Sequence, residues 1–177
     1  RYYDCYRIPV CYPFGFGLSY TAFAYSDLKL EKDLFTGGEM KVSFTITNTG
    51  NRKGAETAQI YVKNPTGCHY LRTEKELKGF IKTELLPGES KQVSVSLDER
   101  SFSVYDEKMQ KFLMPSGEYQ ILVAASSQDV RLSASLSVKG VSYERDDREL
   151  LFEYFDPAVR IQEISHKQFL RLYGKDT

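Results

Sequence analysis

Residues 40–47 alternate without a fault: Met40, Val42, Phe44 and Ile46 are apolar, and Lys41, Ser43, Thr45 and Thr47 between them are polar. Successive side chains of an extended chain point to opposite faces, so this pattern demands a strand buried on one face and wet on the other. The run ends in Asn48-Thr49-Gly50-Asn51-Arg52-Lys53-Gly54, a succession of turn formers. The chain then returns through Ala58, Ile60 and Val62, with Gln59, Tyr61 and Lys63 on the opposite face. These two strands are expected to pair or to face each other.

The same period recurs along the chain. Phe23, Tyr25, Leu28 and Leu30 predict a first strand with a break at Ser26-Asp27, followed by a turn over Phe35-Thr36-Gly37-Gly38-Glu39. A surface loop is expected from Asn64 to Glu76 and a short strand over Leu77–Lys82. Leu85-Leu86-Pro87-Gly88-Glu89 then predicts a turn and a hairpin-like return through Val93, Val95 and Leu97. Ser101–Tyr105 and Lys111–Met114 flank a charged turn, and Pro115-Ser116-Gly117 leads into Tyr119, Ile121, Val123 and Ala125. A last strand has Val130, Leu132, Ala134, Leu136 and Val138 inward, with Arg131, Ser133, Ser135 and Ser137 outward. About seven short strands, with turns roughly every ten residues and no helical period between them, make the fold all-β: an antiparallel sandwich of immunoglobulin or fibronectin III class. Val42, Phe44, Ile60, Val95, Ile121, Val123 and Leu132 are the expected core.

Composition narrows the function by exclusion. The 177 residues accommodate one domain of ~100–150 residues with appendages. Lysine plus arginine and aspartate plus glutamate both number 24, so the formal net charge is zero, and neither nucleic acid nor a membrane surface is an expected partner. No apolar run of ~18 residues occurs. Thirteen Tyr and eleven Phe with no Trp weigh against an independent carbohydrate-binding module. Cys5, Cys11 and Cys68 are too few and too irregular for a disulfide framework. Free thiols, and with them a cytoplasmic setting, are the expectation; a Cys5–Cys11 bridge and a secreted parent stay open. Asn64-Pro65-Thr66 has proline where an N-glycosylation acceptor forbids it, and no other acceptor triplet occurs.

The stretch Tyr12-Pro13-Phe14-Gly15-Phe16-Gly17-Leu18-Ser19-Tyr20-Thr21 packs aromatics, two glycines and a proline into ten residues without charge, which suits a close-packed junction. Gly15-x-Gly17 does not open a dinucleotide fingerprint, because Tyr20 stands where the third glycine is needed. With Phe23 and Tyr25, this run resembles the segment that leads from the second domain of glycoside hydrolase family 3 enzymes into a fibronectin type III-like domain. Arg1-Tyr2-Tyr3-Asp4 resembles the stretch that precedes it there. Four further landmarks follow in the family's order: Thr45–Gly54, Gln59-Ile60-Tyr61-Val62, Lys75-Glu76-Leu77-Lys78-Gly79-Phe80 and Leu86-Pro87-Gly88-Glu89. The resemblance covers residues 1–140 and implies three parts: the end of a preceding domain with its junction over 1–20, a fibronectin type III-like sandwich over 21–140, and a connector and tail over 141–177. It also implies that Pro13, Phe14, Gly15, Gly17, Leu18, Ser19 and Tyr20 form a structural junction.

Beyond Gly140, Glu144-Arg145-Asp146-Asp147-Arg148-Glu149 reads as a solvated connector whose alternating charges neutralise one another. Ser165-x-x-Gln168 fits a capping box, Ile164 and Phe169 a hydrophobic staple, and Gly174 a helix stop. So short a helix is expected to need Phe169, Leu172 and Tyr173 docked on something. No catalytic, cofactor-binding or metal-ligating residue is expected: the carboxylates lie in turns, and His69 and His166 lack nucleophile partners. In the family the nucleophile and the acid/base belong to domains before this stretch. The expected function is therefore that of a non-catalytic, stabilising piece of a β-glucosidase-like retaining hydrolase, inactive alone. Its expected partners are the catalytic domains of the same polypeptide and, for the parent, a β-glucoside or oligosaccharide. A free-standing carbohydrate-binding or adhesion sandwich, which would show an exposed aromatic row on one sheet, is the alternative.

Overall fold

The computed structural model describes residues 8–65, 72–106, 109–142, 147–156 and 158–173. The expectations placed on Arg1-Tyr2-Tyr3-Asp4, Cys5, Cys68, His69, Glu144–Asp146 and Gly174 lie outside them. Among the described residues ten strands form: β1 (Phe23–Leu30), β2 (Leu34–Phe35), β3 (Glu39–Asn48), β4 (Gly54–Lys63), β5 (Lys75–Leu85), β6 (Ser90–Asp98), β7 (Val104–Asp106), β8 (Lys111–Leu113), β9 (Gly117–Ala124) and β10 (Val130–Val138). One sheet has the order β1-β3-β6 and the other β2-β10-β9-β4-β5, while β7 and β8 make a two-stranded ribbon. After them, the described residues form the α-helices α1 (Asp147–Leu150), α2 (Phe152–Phe155) and α3 (His166–Leu172).

The alternation in β3 sets the core. Met40, Val42, Phe44 and Ile46 are all fully buried, and β6 lies against the same strand with Leu97, Val95 and Val93 opposite Met40, Val42 and Phe44. Across the sandwich they meet Ala58, Ile60 and Val62 of β4, Tyr119, Ile121 and Val123 of β9, and Leu136 and Val138 of β10. β3 and β4 thus face each other from different sheets. Of the seven expected core residues, Val42, Phe44, Ile60, Ile121 and Val123 are buried, while Val95 and Leu132 are half-buried at the margin. The break at Ser26-Asp27 is a shift of register in β1, with Asp27 at φ 54°.

Four local expectations are corrected. Phe35 is not a turn residue: it is fully buried, in a short parallel pairing of Phe35 with Val138, and its ring packs on Phe102 at 4.8 Å. The turn begins later, at Gly37 and Gly38, whose φ values of 123° and 78° most side chains avoid. The Leu86-Pro87-Gly88-Glu89 turn closes through Glu89 N to Leu86 O at 3.0 Å, but it carries the chain from one sheet to the other, so β5 and β6 are not a hairpin. Val130 is exposed, because a bulge between Val130 and Leu132 resets the alternation of β10. Finally, Gln59 and Tyr61, assigned to an outer face, are buried.

Candidate interaction surface

The cover over Gln59 is the aromatic, glycine-bearing stretch before β1, while Tyr61 packs with Leu122, Ala124 and Leu77. The backbone of the stretch is fastened at several points. Phe16 N donates to Pro13 O at 3.0 Å, closing a turn in which Gly15 takes φ 75°. Such a turn wants glycine at its third position. The Gln59 side-chain nitrogen donates to Gly15 O at 3.0 Å and to Ala125 O at 2.9 Å, and its oxygen accepts from the Tyr61 hydroxyl at 2.6 Å. Ser127 N donates to Phe14 O at 2.8 Å.

The strand entry is held as firmly. Asn48, fully buried at the end of β3, accepts from the Thr21 hydroxyl at 2.7 Å and from Gly50 N at 3.1 Å. Its amide nitrogen donates to Arg52 O at 2.8 Å and to Leu85 O at 3.1 Å. One side chain therefore ties the entering segment, the β3–β4 loop and the end of β5. The sequence marked Asn48 only as a turn former; that it is inward on a strand otherwise apolar at the even positions was the available signal.

Backbone anchoring leaves the side chains turned out. Leu18 and Tyr20 are each 91% exposed, Phe14 66% and Phe80, on β5, 68%. The sequence predicts close packing here; instead the backbone is fastened to the sandwich and Gly15 lies against Gln59, while the large apolar side chains turn outward. Between the segment and β5 runs an open groove of about 490 Å³, lined by Phe14, Phe16, Leu18, Leu77, Phe80 and Lys82 among others. Of the seven sequence-predicted junction residues, the structure brings Phe14, Gly15, Gly17, Leu18 and Ser19 to this groove, whereas Pro13 and Tyr20 flank it. On the outer face beside β5, Tyr61 and Leu122 are buried.

A second concavity of about 490 Å³ opens at the β7–β8 ribbon, with Arg72, Glu76, Lys78, Arg100, Tyr105 and Phe112 in its wall. Glu76 is held by Arg72 at 2.9 Å and by Lys78 at 2.7 Å. Burial alone would push its carboxyl up; the two cations outweigh burial and hold it below its ordinary value. Such a group is a committed anion and a poor general acid. The Arg100 guanidinium lies 3.3 Å from the centre of the Phe112 ring. Burial and the hydrogen bond to Glu56 push the Tyr25 hydroxyl well above its ordinary range, which leaves it a donor at physiological pH. Among the described residues no three His, Cys, Asp or Glu side chains gather as a metal would require, and no helix is long and apolar enough to cross a membrane. His166 opens α3 and stacks on Phe169.

A fibronectin type III-like domain model matches residues 56–127. The chain is 43% identical over 139 residues to thermostable β-glucosidase B of Acetivibrio thermocellus, covering 78% of this chain and 18% of that protein. The structure of β-glucosidase 3B from Thermotoga neapolitana superposes with a TM-score of 0.69 at 39% identity, over 77% of this chain and 18% of that one. The Bifidobacterium adolescentis GH3 β-glucosidase superposes with a TM-score of 0.73 at 32% identity, over 97% of this chain and 24% of that one. The chain spans about a fifth of the length of the relatives it matches. Sequence and structure agree: the chain is similar to about a fifth of family 3 β-glucosidases, and that part includes a fibronectin type III-like domain.

Proposed function

We propose that this chain is the non-catalytic, stabilising part of a retaining β-glucosidase-type hydrolase that acts on β-glucosides or related oligosaccharides. Retaining hydrolysis needs two carboxyl groups ~5–5.5 Å apart, one of them with a raised pKa, and a pocket that distorts the sugar. Those groups belong, in this reading, to the remaining four-fifths of the parent. The division into a junction over 1–20, a sandwich over 21–140 and a tail over 141–177 is part of the proposal.

One observation carries it: residues 12–20 are pinned to the sandwich by their backbone and hold their apolar side chains outward. A contiguous exposed apolar surface marks an interface. We assign it to the preceding domain of the same polypeptide, with Phe14, Leu18 and Tyr20 as anchors and Pro13, Gly15, Gly17 and Ser19 shaping the backbone that presents them. The test compares the parent with residues 1–177 alone, reading nitrophenol release from an aryl β-glucoside. The parent should turn over and the isolated chain should match a blank. Turnover by the isolated chain, abolished by changing a carboxylate within it, would overturn the assignment.

A further inference from the structure

The tail reverses the usual arrangement of a short amphipathic helix. In α3 the residue taken inside is Gln168, 2% exposed, while Phe169, Leu172 and Tyr173 lie outward. Its fastening among the described residues is polar. The Gln168 side chain donates to Leu150 O at 3.1 Å and Arg171 donates to the same carbonyl at 3.4 Å. Glu153 of α2 accepts from Ser165 N at 2.6 Å and from its hydroxyl at 2.9 Å, and that hydroxyl caps the helix through Gln168 N at 3.3 Å. The capping box is thus half formed, its return bond taken by Glu153. With the polar face spent on α1 and α2, the opposite face presents a row of rings. His166 and Phe169 stack at 6.4 Å, and Phe169 meets Tyr173 at 5.4 Å.

We propose that the row His166-Phe169-Tyr173 is a second docking surface, and that its occupant is the catalytic portion of the same polypeptide. The inference rests on the reading that such a portion exists. Two arguments favour this occupant over a second copy of the chain. A stable dimer needs ~800 Å² from each partner, and three rings on a seven-residue helix fall far short of that. A covalent link supplies an effective concentration in the millimolar range, at which so small a patch suffices. In addition, the structural match to a chain about four times as long runs through the tail, covering 97% of this chain where the Thermotoga enzyme covers 77%. A backbone similar to that of the tail is therefore present in a much longer family 3 enzyme.

The experiment uses the full-length parent with a benzophenone amino acid at Tyr173, and at exposed Lys91 on β6 as control, followed by irradiation and peptide mapping. Tyr173 should crosslink within one chain, to peptides outside residues 1–177, at least several-fold above Lys91. Crosslinks between chains, crosslinks confined to residues 1–177, or a yield equal to the control would each overturn the proposal. In parallel, the F169S/Y173S parent should show about tenfold faster amide exchange over 150–173 with the sandwich unchanged, and an unaltered exchange rate would also overturn it. Nitrophenol release by the unmodified parent is scored separately. A parent that docks its tail but hydrolyses no glycoside defeats the functional reading alone, and an active parent without the crosslink defeats the docking alone.

Discussion

Asn48 shows what a single side chain contributes in this fold. It fills its amide's hydrogen-bonding capacity with partners from three segments in a site closed to water. Alanine there leaves two backbone carbonyls without that donor and the Thr21 hydroxyl without its acceptor. Unpaired buried groups cost about 1–3 kcal/mol each way such a network fails. Asn48→Ala should lower the denaturant midpoint by a stability change of about that size, while Thr21→Val, which removes one of the four bonds, should cost less. Equal stability of Asn48→Ala and the parent sequence would show that water replaces the network. Gln59 is the comparable residue on the other sheet, where one amide carries the link between junction and sandwich.

At the scale of elements, β3 and α3 stand at opposite ends of a range. β3 has two paired neighbours, four fully buried apolar side chains and a central place in its sheet, so its amides open only with the whole domain. α3 has two turns, polar fastening to a neighbouring helix and its rings in water. A helix of that length does not persist unaided. In the isolated chain, amide exchange of Gln168–Leu172 should therefore run well ahead of that of Val42–Ile46, through openings far below the global unfolding energy. Protection of α3 equal to that of β3 would contradict this. The sequence predicts apolar docking of Phe169, Leu172 and Tyr173; among the described residues, hydrogen bonds fasten the helix and these three side chains are exposed.

For the whole molecule, the exposed strip at 12–20 and the ring row of α3 describe a domain shaped to be covered. Interfaces between domains of one chain are modest in size and are lost together with the domain that supplies them. Deleting residues 21–177 from the parent should therefore reduce its soluble yield and its melting temperature, whereas the fraction that remains folded should keep a KM close to that of the intact enzyme. A large rise in KM with unchanged yield would place part of the substrate site in this chain. Exposed apolar anchors make the same deletion prone to aggregation, since the catalytic portion loses the cover for its own side of the contact.

Much of this architecture was legible from residue order. Strict alternation at 40–47 and 132–138, and turn formers such as Pro87-Gly88, specify which residues are extended and which share a face, because the strand period of two is a local property of the backbone. The aromatic run at 12–20 likewise announced itself by composition. Tertiary structure alone decided the rest. That β5 and β6 belong to different sheets, that Phe35 completes an edge in parallel with β10, and that Gln59 and Tyr61 are covered on an outer face are all matters of which distant segment arrives opposite. The same holds for the outward aromatics at Phe14 and Tyr173. An apolar side chain carries a demand for cover but no address, and here the sandwich closes its core without them.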